Sequence, residues 1–308
     1  MDERILKLKR EIGKAIIGKE EIVEKILAAI LAGGNILLED IPGVGKTTLA
    51  LACAKSMGLQ FRRVQFTPDV VPSDITGFSM YDKQTGSFVY SPGTVMCQFF
   101  LADEINRTSS KTQSALLEVM QEGKVTVDGQ THSVPSPFIV MATQNPIGTV
   151  GTQMLPEAQL DRFMIQLSMG YPSFQEQVEI LMKQEREGLI ETVEQVIDAE
   201  ELSNMIVEVT KVYMDEKICR YITSLVEATR NHPDIRLGVS PRGAIALYGI
   251  AQAEAFLQGR EFVIPEDVDR YFADVCRHRI LMHSKARSQE KSKEIILQEL
   301  LQSIQAPK

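Results

Sequence analysis

The residues of this chain best suited to chemistry lie in the run Ile36-Leu37-Leu38-Glu39-Asp40-Ile41-Pro42-Gly43-Val44-Gly45-Lys46-Thr47-Thr48. An apolar stretch leads into a glycine-rich turn and then a segment opening on Lys-Thr. That is the order of a buried strand, a tight loop and a helix N-terminus. Loop amides and the partial positive charge of the helix end make such a turn a cradle for phosphate. Pro42, Gly43, Val44, Gly45, Lys46, Thr47 and Thr48 are therefore the candidate nucleotide-binding residues. Lys46 is placed to reach the β- and γ-phosphates, and the Thr47 hydroxyl to ligate Mg²⁺. A nucleoside triphosphate with Mg²⁺ is the expected ligand, and the absence of an Asn-Lys-x-Asp run to read guanine counts against a GTPase. One position departs from the common pattern: Asp40 stands where a glycine is usual. Asp tolerates a left-handed backbone better than most residues, so a phosphate loop with Asp40 in this place is plausible though not standard.

A second stretch strengthens the first. Cys97-Gln98-Phe99-Phe100-Leu101-Ala102-Asp103-Glu104 is an apolar run ending in two acids. A buried strand ending in Asp presents one carboxylate to the Mg²⁺ beside a phosphate loop, and the next residue can orient and deprotonate water. Asp103 is the candidate metal ligand and Glu104 the candidate base. Asn145 follows another apolar run, Val140-Met141-Ala142-Thr143-Gln144, and its amide can hold water opposite Glu104. Arg162, between a short helical pattern and a strand, and Arg242, at a helix start after Ser240-Pro241, complete the candidates. A lone arginine is most often a surface charge; these two gain weight from their order and context.

The elements that must position these residues follow from periodicity. Apolar residues Ile22, Val23, Ile26, Leu27, Ile30 and Leu31 stripe a helix over Glu20–Ala32. A helix is expected from Lys46 to Met57, strands at Phe61–Phe66, Phe138–Ala142 and Phe163–Leu167, and a loop at Thr67–Ser73. Phe78–Tyr81 with Phe88–Tyr90 reads as one hairpin. Lys124–Val127 with Gln130–Val134 reads as another, turned by Asp128-Gly129. A helix is expected from Ser109 or Ser110 through Glu122. Alternating strands and helices imply a parallel sheet covered on both faces. Beyond Pro172 the pattern is helical only, with capping boxes at Ser173/Glu176 and Asp198/Glu201 and prolines at expected first helical turns, Pro241 and Pro265. The expected fold class is α/β, with residues 1–171 as the nucleotide-binding core and 172–308 as an all-helical second domain.

Bulk properties exclude several classes. The chain has 308 residues and a net charge of −8; 16 basic and 18 acidic residues fall in 1–171, and 17 and 23 in 172–308. Neither half has the basic balance that phosphate-backbone binding demands. No uncharged apolar run is long enough for a membrane span. The opening Met1–Lys7 run lacks the apolar centre of a signal peptide. The four cysteines and four histidines have no metal-ligand spacing. A cytoplasmic protein is expected.

Taken together, these runs resemble the AAA+ ATPases and, within them, the MoxR family, over nearly the whole chain. Beside Glu39–Thr47, the resemblance is carried by Gln65-Phe66-Thr67-Pro68-Asp69-Val70-Val71-Pro72-Ser73-Asp74-Ile75-Thr76-Gly77, and by Asp103-Glu104-Ile105-Asn106-Arg107 with Lys111-Thr112-Gln113-Ser114-Ala115-Leu116-Leu117-Glu118. MoxR-like sequences share the acid at Asp40. The resemblance implies an AAA+ P-loop core with a C-terminal helical lid. It implies Asn145 as the sensor-1 residue, Arg162 as an arginine finger and Arg242 as a sensor-2 arginine reaching phosphate from the lid, which would shift on the core as ATP is bound and hydrolysed. Ile17 and Gly18, in the Ile16-Ile17-Gly18 turn, are similar to the segment that packs on adenine. Phe78–Tyr90 looks like the helix-2 insert, and Lys124–Val134 like the hairpin preceding sensor 1. It further implies a hexameric ring, a protein client remodelled or matured in chaperone fashion or supplied with a metal, and a von Willebrand factor A domain protein as partner. An arginine finger acting in trans fits head-to-tail ring contacts. Two rivals stand beside this reading. A nucleic-acid motor of the same fold would need basic hairpins, whereas Tyr81–Phe88 holds one lysine and one aspartate and Glu122–Val134 one lysine and two acids. An ATP-dependent adaptor with little hydrolysis would not need the full set Lys46, Asp103, Glu104, Asn145 and Arg162.

Overall fold

A computed structural model of the chain describes residues 2–41, 43–145, 154–183, 188–284 and 292–307. The strands are β1 (Ile36–Glu39), β2 (Phe61–Gln65), β3 (Gly77–Asp82), β4 (Ser87–Pro92), β5 (Phe99–Asp103), β6 (Lys124–Val127), β7 (Gln130–Ser133), β8 (Ile139–Gln144), β9 (Ile165–Leu167), β10 (Ile235–Leu237) and β11 (Leu281–Met282). The helices are α1 (Glu3–Ala15), α2 (Glu20–Leu31), α3 (Lys46–Ser56), α4 (Pro72–Thr76), α5 (Ser110–Glu122), α6 (Glu157–Leu160), α7 (Phe174–Lys183), α8 (Ala199–Val209), α9 (Glu216–Asn231), α10 (Pro241–Leu257) and α11 (Pro265–Cys276), with a last helix at Lys293–Ser303.

Consecutive apolar residues over Phe99–Ala102 of β5 and Ile139–Ala142 of β8 require cover on both faces, and a parallel sheet provides it. Five parallel strands run in the order β2-β5-β8-β1-β9. Successive side chains point to opposite faces. Ile36 and Leu38 join a cluster with Phe99, Leu101 and Met141, while Leu37 packs on the other side with Phe100, Ala102, Val140 and Phe163. The phosphate turn, the acid pair and Asn145 all lie just past the carboxyl ends of β1, β5 and β8. In open α/β sheets ligands bind at that edge.

The first cluster does not stop at the sheet. It runs through Ile5 and Leu8 of α1 and Ile26 and Ile30 of α2, then into Leu202, Leu225, Leu247 and Tyr271 of the second domain. Each such buried side chain contributes about 1.5–3 kcal/mol, so the helical domain is anchored on the same core as the sheet. Polar links reinforce the seam: Lys25 of α2 pairs with Asp274 of α11 at 2.9 Å, and Arg270 bridges Glu24 and Glu254.

The capping boxes at Ser173/Glu176 and Asp198/Glu201 form as expected. Two expectations are revised. The segment 67–73 is not all loop: Pro72 begins α4, since proline suits the first helical turn. The second domain is not helical throughout, because β10 and β11 pair as a short antiparallel ribbon; at three and two residues they are too short for a period to show. Asp40 does not adopt a left-handed backbone; among described non-glycine residues only Glu104 and Asp128 do.

Candidate active site

Gly45 supplies the turn into α3 with φ +92, a conformation costly for any residue with a side chain. Lys46 follows, 8% exposed, and its ammonium donates to the backbone carbonyls of Asp40 at 2.8 Å and Ile41 at 3.1 Å. Burial pushes its pKa down, and the charges of Asp40, Asp103 and Glu104 push it back up. Lys46 thus sits in the field of the acids that the sequence pairs with it. Thr47 and Thr48 are half-buried beside it. Pro42 lies outside the described residues.

Asp40 is used for its carboxylate. One carboxylate oxygen accepts from the amide of Met169 and from that of Gly170 at 3.0 Å; the other accepts from the Ile41 amide at 3.0 Å. The acid therefore pins the phosphate loop to the segment leaving β9. That contact brings Met169, Gly170 and Tyr171 to a cavity of about 580 Å³ lined also by Ile16, Ile17, Gly43, Val44, Gly45 and Thr48. A largely apolar cavity next to a phosphate loop has the shape and chemistry for a purine base. Gly18 does not line it. Its φ is +68, and a Cβ there would lie 2.0 Å from Glu176 Oε1, so Gly18 serves the turn that presents Ile16 and Ile17.

The acid pair is held from several sides. Asp103 accepts from the Thr143 hydroxyl at 2.6 Å on one oxygen and from Arg63 at 2.7 and 3.1 Å on the other. Glu104 has φ 56. Such strain of about 1–3 kcal/mol in a non-glycine residue points to a functional constraint. Its amide donates to the Thr143 hydroxyl at 2.8 Å, so one threonine sets both acids. Glu104 Oε1 accepts from Asn145 Nδ2 at 3.2 Å, and Oε2 from Arg107 at 2.7 Å. Asn145 is steadied in turn by the Asn106 amide, 3.4 Å from its carbonyl. Glu104 and Asn145 are thereby brought together, as their places at adjacent strand ends require.

Thr47 and Asp103 offer hard oxygen ligands. Mg²⁺ uses one or two protein oxygens and leaves its other positions to water and phosphate. The pair fits that ion, although Arg63 now occupies one Asp103 oxygen.

The arginines lie elsewhere. Arg162 donates to the Leu117 carbonyl of α5 at 2.7 Å, and its buried Nε has no partner. It lines a cavity of about 100 Å³ with Met120, Gln121 and Arg242. No residue of that cavity lines the one beside the phosphate loop. Arg242 is therefore brought to Arg162 and not to the cavity beside its own P-loop. The cause is Ser240, the N-cap of α10, whose hydroxyl reaches the Asp161 carboxylate at 2.9 Å.

Sequence reasoning missed Arg63, Thr143, Arg107, Asn106 and the Met169–Tyr171 segment. Thr143 had a signal: it is level with the strand end bearing Asp103 and shares a face with Asn145 two positions on. Arg107 pairs with Glu104 only three residues back, inside a run that the sequence already singles out, whereas Arg63, Asn106 and the Met169–Tyr171 segment are fixed by contacts between residues far apart in the chain.

Sheet order, phosphate turn, acid pair and helical second domain define the AAA+ class of P-loop ATPases. Residues 35–165 match the family of ATPases associated with various cellular activities, and residues 227–300 match the AAA lid domain. The chain is 50% identical to the uncharacterised protein YeaC of Bacillus subtilis, over 96% of this chain and 92% of that one. It is 39% identical to Chaperone MoxR1 of Mycobacterium tuberculosis, over 96% and 81%. A crystal structure of a Cytophaga hutchinsonii protein assigned as an ATPase superposes with a TM-score of 0.91 at 36% identity, covering 99% and 95%. The chain belongs to the MoxR family of AAA+ ATPases.

Proposed function

We propose that this chain is an ATP-hydrolysing subunit of a ring, each subunit completing the site of the next. The observation that carries this is the separation of the machinery. Phosphate loop, acids and Asn145 meet at one sheet edge, while Arg162 and Arg242 line another cavity. Lys46 and the α3 N-terminus hold the triphosphate. Glu104 accepts a proton from water held with Asn145. Arg162, with Arg242, meets the γ-phosphoryl charge of the neighbour's nucleotide. Thr47 and Asp103 are the residues that would hold Mg²⁺, which when bound would supply neutralising positive charge to the phosphates. Head-to-tail contacts of this kind close into rings, six-membered by family resemblance.

The work done is remodelling or maturation of a protein client, cofactor or metal insertion included, with a von Willebrand factor A domain protein as candidate partner. The chaperone name of the Mycobacterium relative supports this reading. So does the β3–β4 hairpin: Phe78, Met80, Tyr81 and Phe88 are exposed, Phe88 by 73%, with Lys83 its only basic residue. Tyr90 is not part of that surface. It stacks on His132 at 3.8 Å and donates to the Thr76 carbonyl, which joins the two hairpins.

Subunit mixing tests the reading. Lys46→Ala weakens ATP binding roughly 100-fold, the upper end for a charge-assisted contact. Arg162→Ala binds ATP but does not turn it over. Each is inactive alone, and mixing them places an intact loop beside an intact Arg162, so turnover returns. No return despite co-assembly overturns action in trans.

A further inference from the structure

The lid residue Arg279 is buried where a surface arginine would be expected, its side chain 2% exposed. Its guanidinium surrounds the backbone on both sides of Arg162. Nη2 donates to the carbonyls of Asp161 and Phe163, Nη1 to that of Met164 at 3.0 Å, and Nε to the Asp161 carboxylate at 2.8 Å. The same carboxylate accepts from the Ser240 hydroxyl at 2.9 and 3.0 Å, and Ser240 begins the helix carrying Arg242. The stem of Arg279 also runs against the first turn of that helix. A Cβ at Gly243 would lie 2.8 Å from Arg279 Cδ and 2.4 Å from Val239 Cγ1, so only glycine admits this approach. Arg279 thus hydrogen-bonds to the residues on either side of Arg162 and packs on the first turn of the helix carrying Arg242.

We propose that Arg279 and Asp161 are positioning residues that lock Arg162 of the core and Arg242 of the lid into one rigid unit, which a subunit presents to its neighbour's nucleotide. The planar fork of arginine satisfies four carbonyls, those of Asp161, Phe163, Met164 and Val275, and a carboxylate at fixed angles, which an ammonium cannot do. Because the lid is joined to the arginine segment, a lid displacement in one subunit moves the charges acting on the next. Coupling around a ring needs a connection of this kind.

This inference rests on the in-trans reading above, and the test separates the two. Arg279→Lys is placed in the donor chain (Lys46→Ala, Arg279→Lys) or in the acceptor chain (Arg162→Ala, Arg279→Lys), and each is mixed with its unaltered counterpart. Turnover recovered with the donor variant should fall about tenfold or more, since displacements near 1 Å cost this much. Recovery with the acceptor variant should stay within about twofold of the reference mixture on the same argument. Asp161→Asn, which keeps the side chain's shape, should reproduce the asymmetry, and melting curves check that every chain is folded. Equal losses from donor and acceptor would make Arg279 a general structural residue and overturn the proposal. Full recovery with both variants would overturn it too. If the reference mixture of Lys46→Ala with Arg162→Ala recovers nothing, the in-trans reading falls, and the positioning role with it.

Discussion

At the phosphate edge, the loop from Glu39 to Thr48 is a single short stretch, and Asp103, Glu104 and Asn145 end strands adjacent in the sheet. At the other cavity, Arg162 and Arg242 come from different domains, about eighty residues apart, and meet because Asp161 accepts from Ser240 and Arg279. The first region has its counter-charges within the chain: Lys46 among acids, Arg63 on Asp103, Arg107 on Glu104. The second presents Arg162 and Arg242 with no ion pair for either among the described residues. A site whose charges are balanced internally is stable alone. A pair of arginines without an ion pair among the described residues is suited to a charge supplied from outside, such as a neighbour's γ-phosphoryl group.

The comparison breaks most sharply at Arg162. Arg162→Ala should lower steady-state ATP turnover by about 10³-fold or more, the usual worth of an arginine finger. ATP affinity, followed by calorimetry, should hardly change. A matching loss of affinity would place Arg162 on its own nucleotide and dissolve the distinction between the regions.

Glu104→Gln should lower turnover by about 10²-fold or more, because the amide keeps the contact with Asn145 yet cannot accept a proton. It should trap ATP unhydrolysed, detectable by chromatography of bound nucleotide, whereas Lys46→Ala should trap none. Identical nucleotide content in the two variants would contradict the separate roles of holding and hydrolysis.

A smaller effect is expected at Asp40. Asp40→Ala removes the acceptor for the Met169 and Gly170 amides; a buried donor left unpaired costs about 1–3 kcal/mol. Melting temperature should drop by a few degrees, and ATP should bind more weakly as Gly170 leaves the cavity. Unchanged melting and affinity would show that the phosphate loop holds its place without this acid.

The smallest effect concerns nucleic acid. The β3–β4 and β6–β7 hairpins carry one lysine each, Lys83 and Lys124. Turnover at low salt, where electrostatic binding is strongest, should change less than about twofold on adding DNA or RNA. Several-fold stimulation that disappears as salt rises would favour a motor over the protein-client reading.

Much of the fold and the phosphate edge was legible in the sequence, and for a local reason. A glycine-rich turn, a strand ending in two acids and an Asp-Gly hairpin each fix backbone geometry within a few residues, so spacing alone identifies them. The helical stripes of the second domain are equally local. The β10–β11 ribbon was not legible, because two or three residues carry no period.

The sequence by itself determined a P-loop core, its acids and a largely helical second domain, because those depend on patterns over short stretches of chain. Tertiary structure alone decided where the long-range contacts fall. It turned Asp40 from a tolerated loop residue into the acceptor for the Met169 and Gly170 amides, set Thr143 between both acids, and joined Arg279 of the second domain to the Asp161 and Phe163 backbone on either side of Arg162. Each of these rests on a hydrogen bond between residues 39 to 130 positions apart, and only the packed core brings such partners within reach.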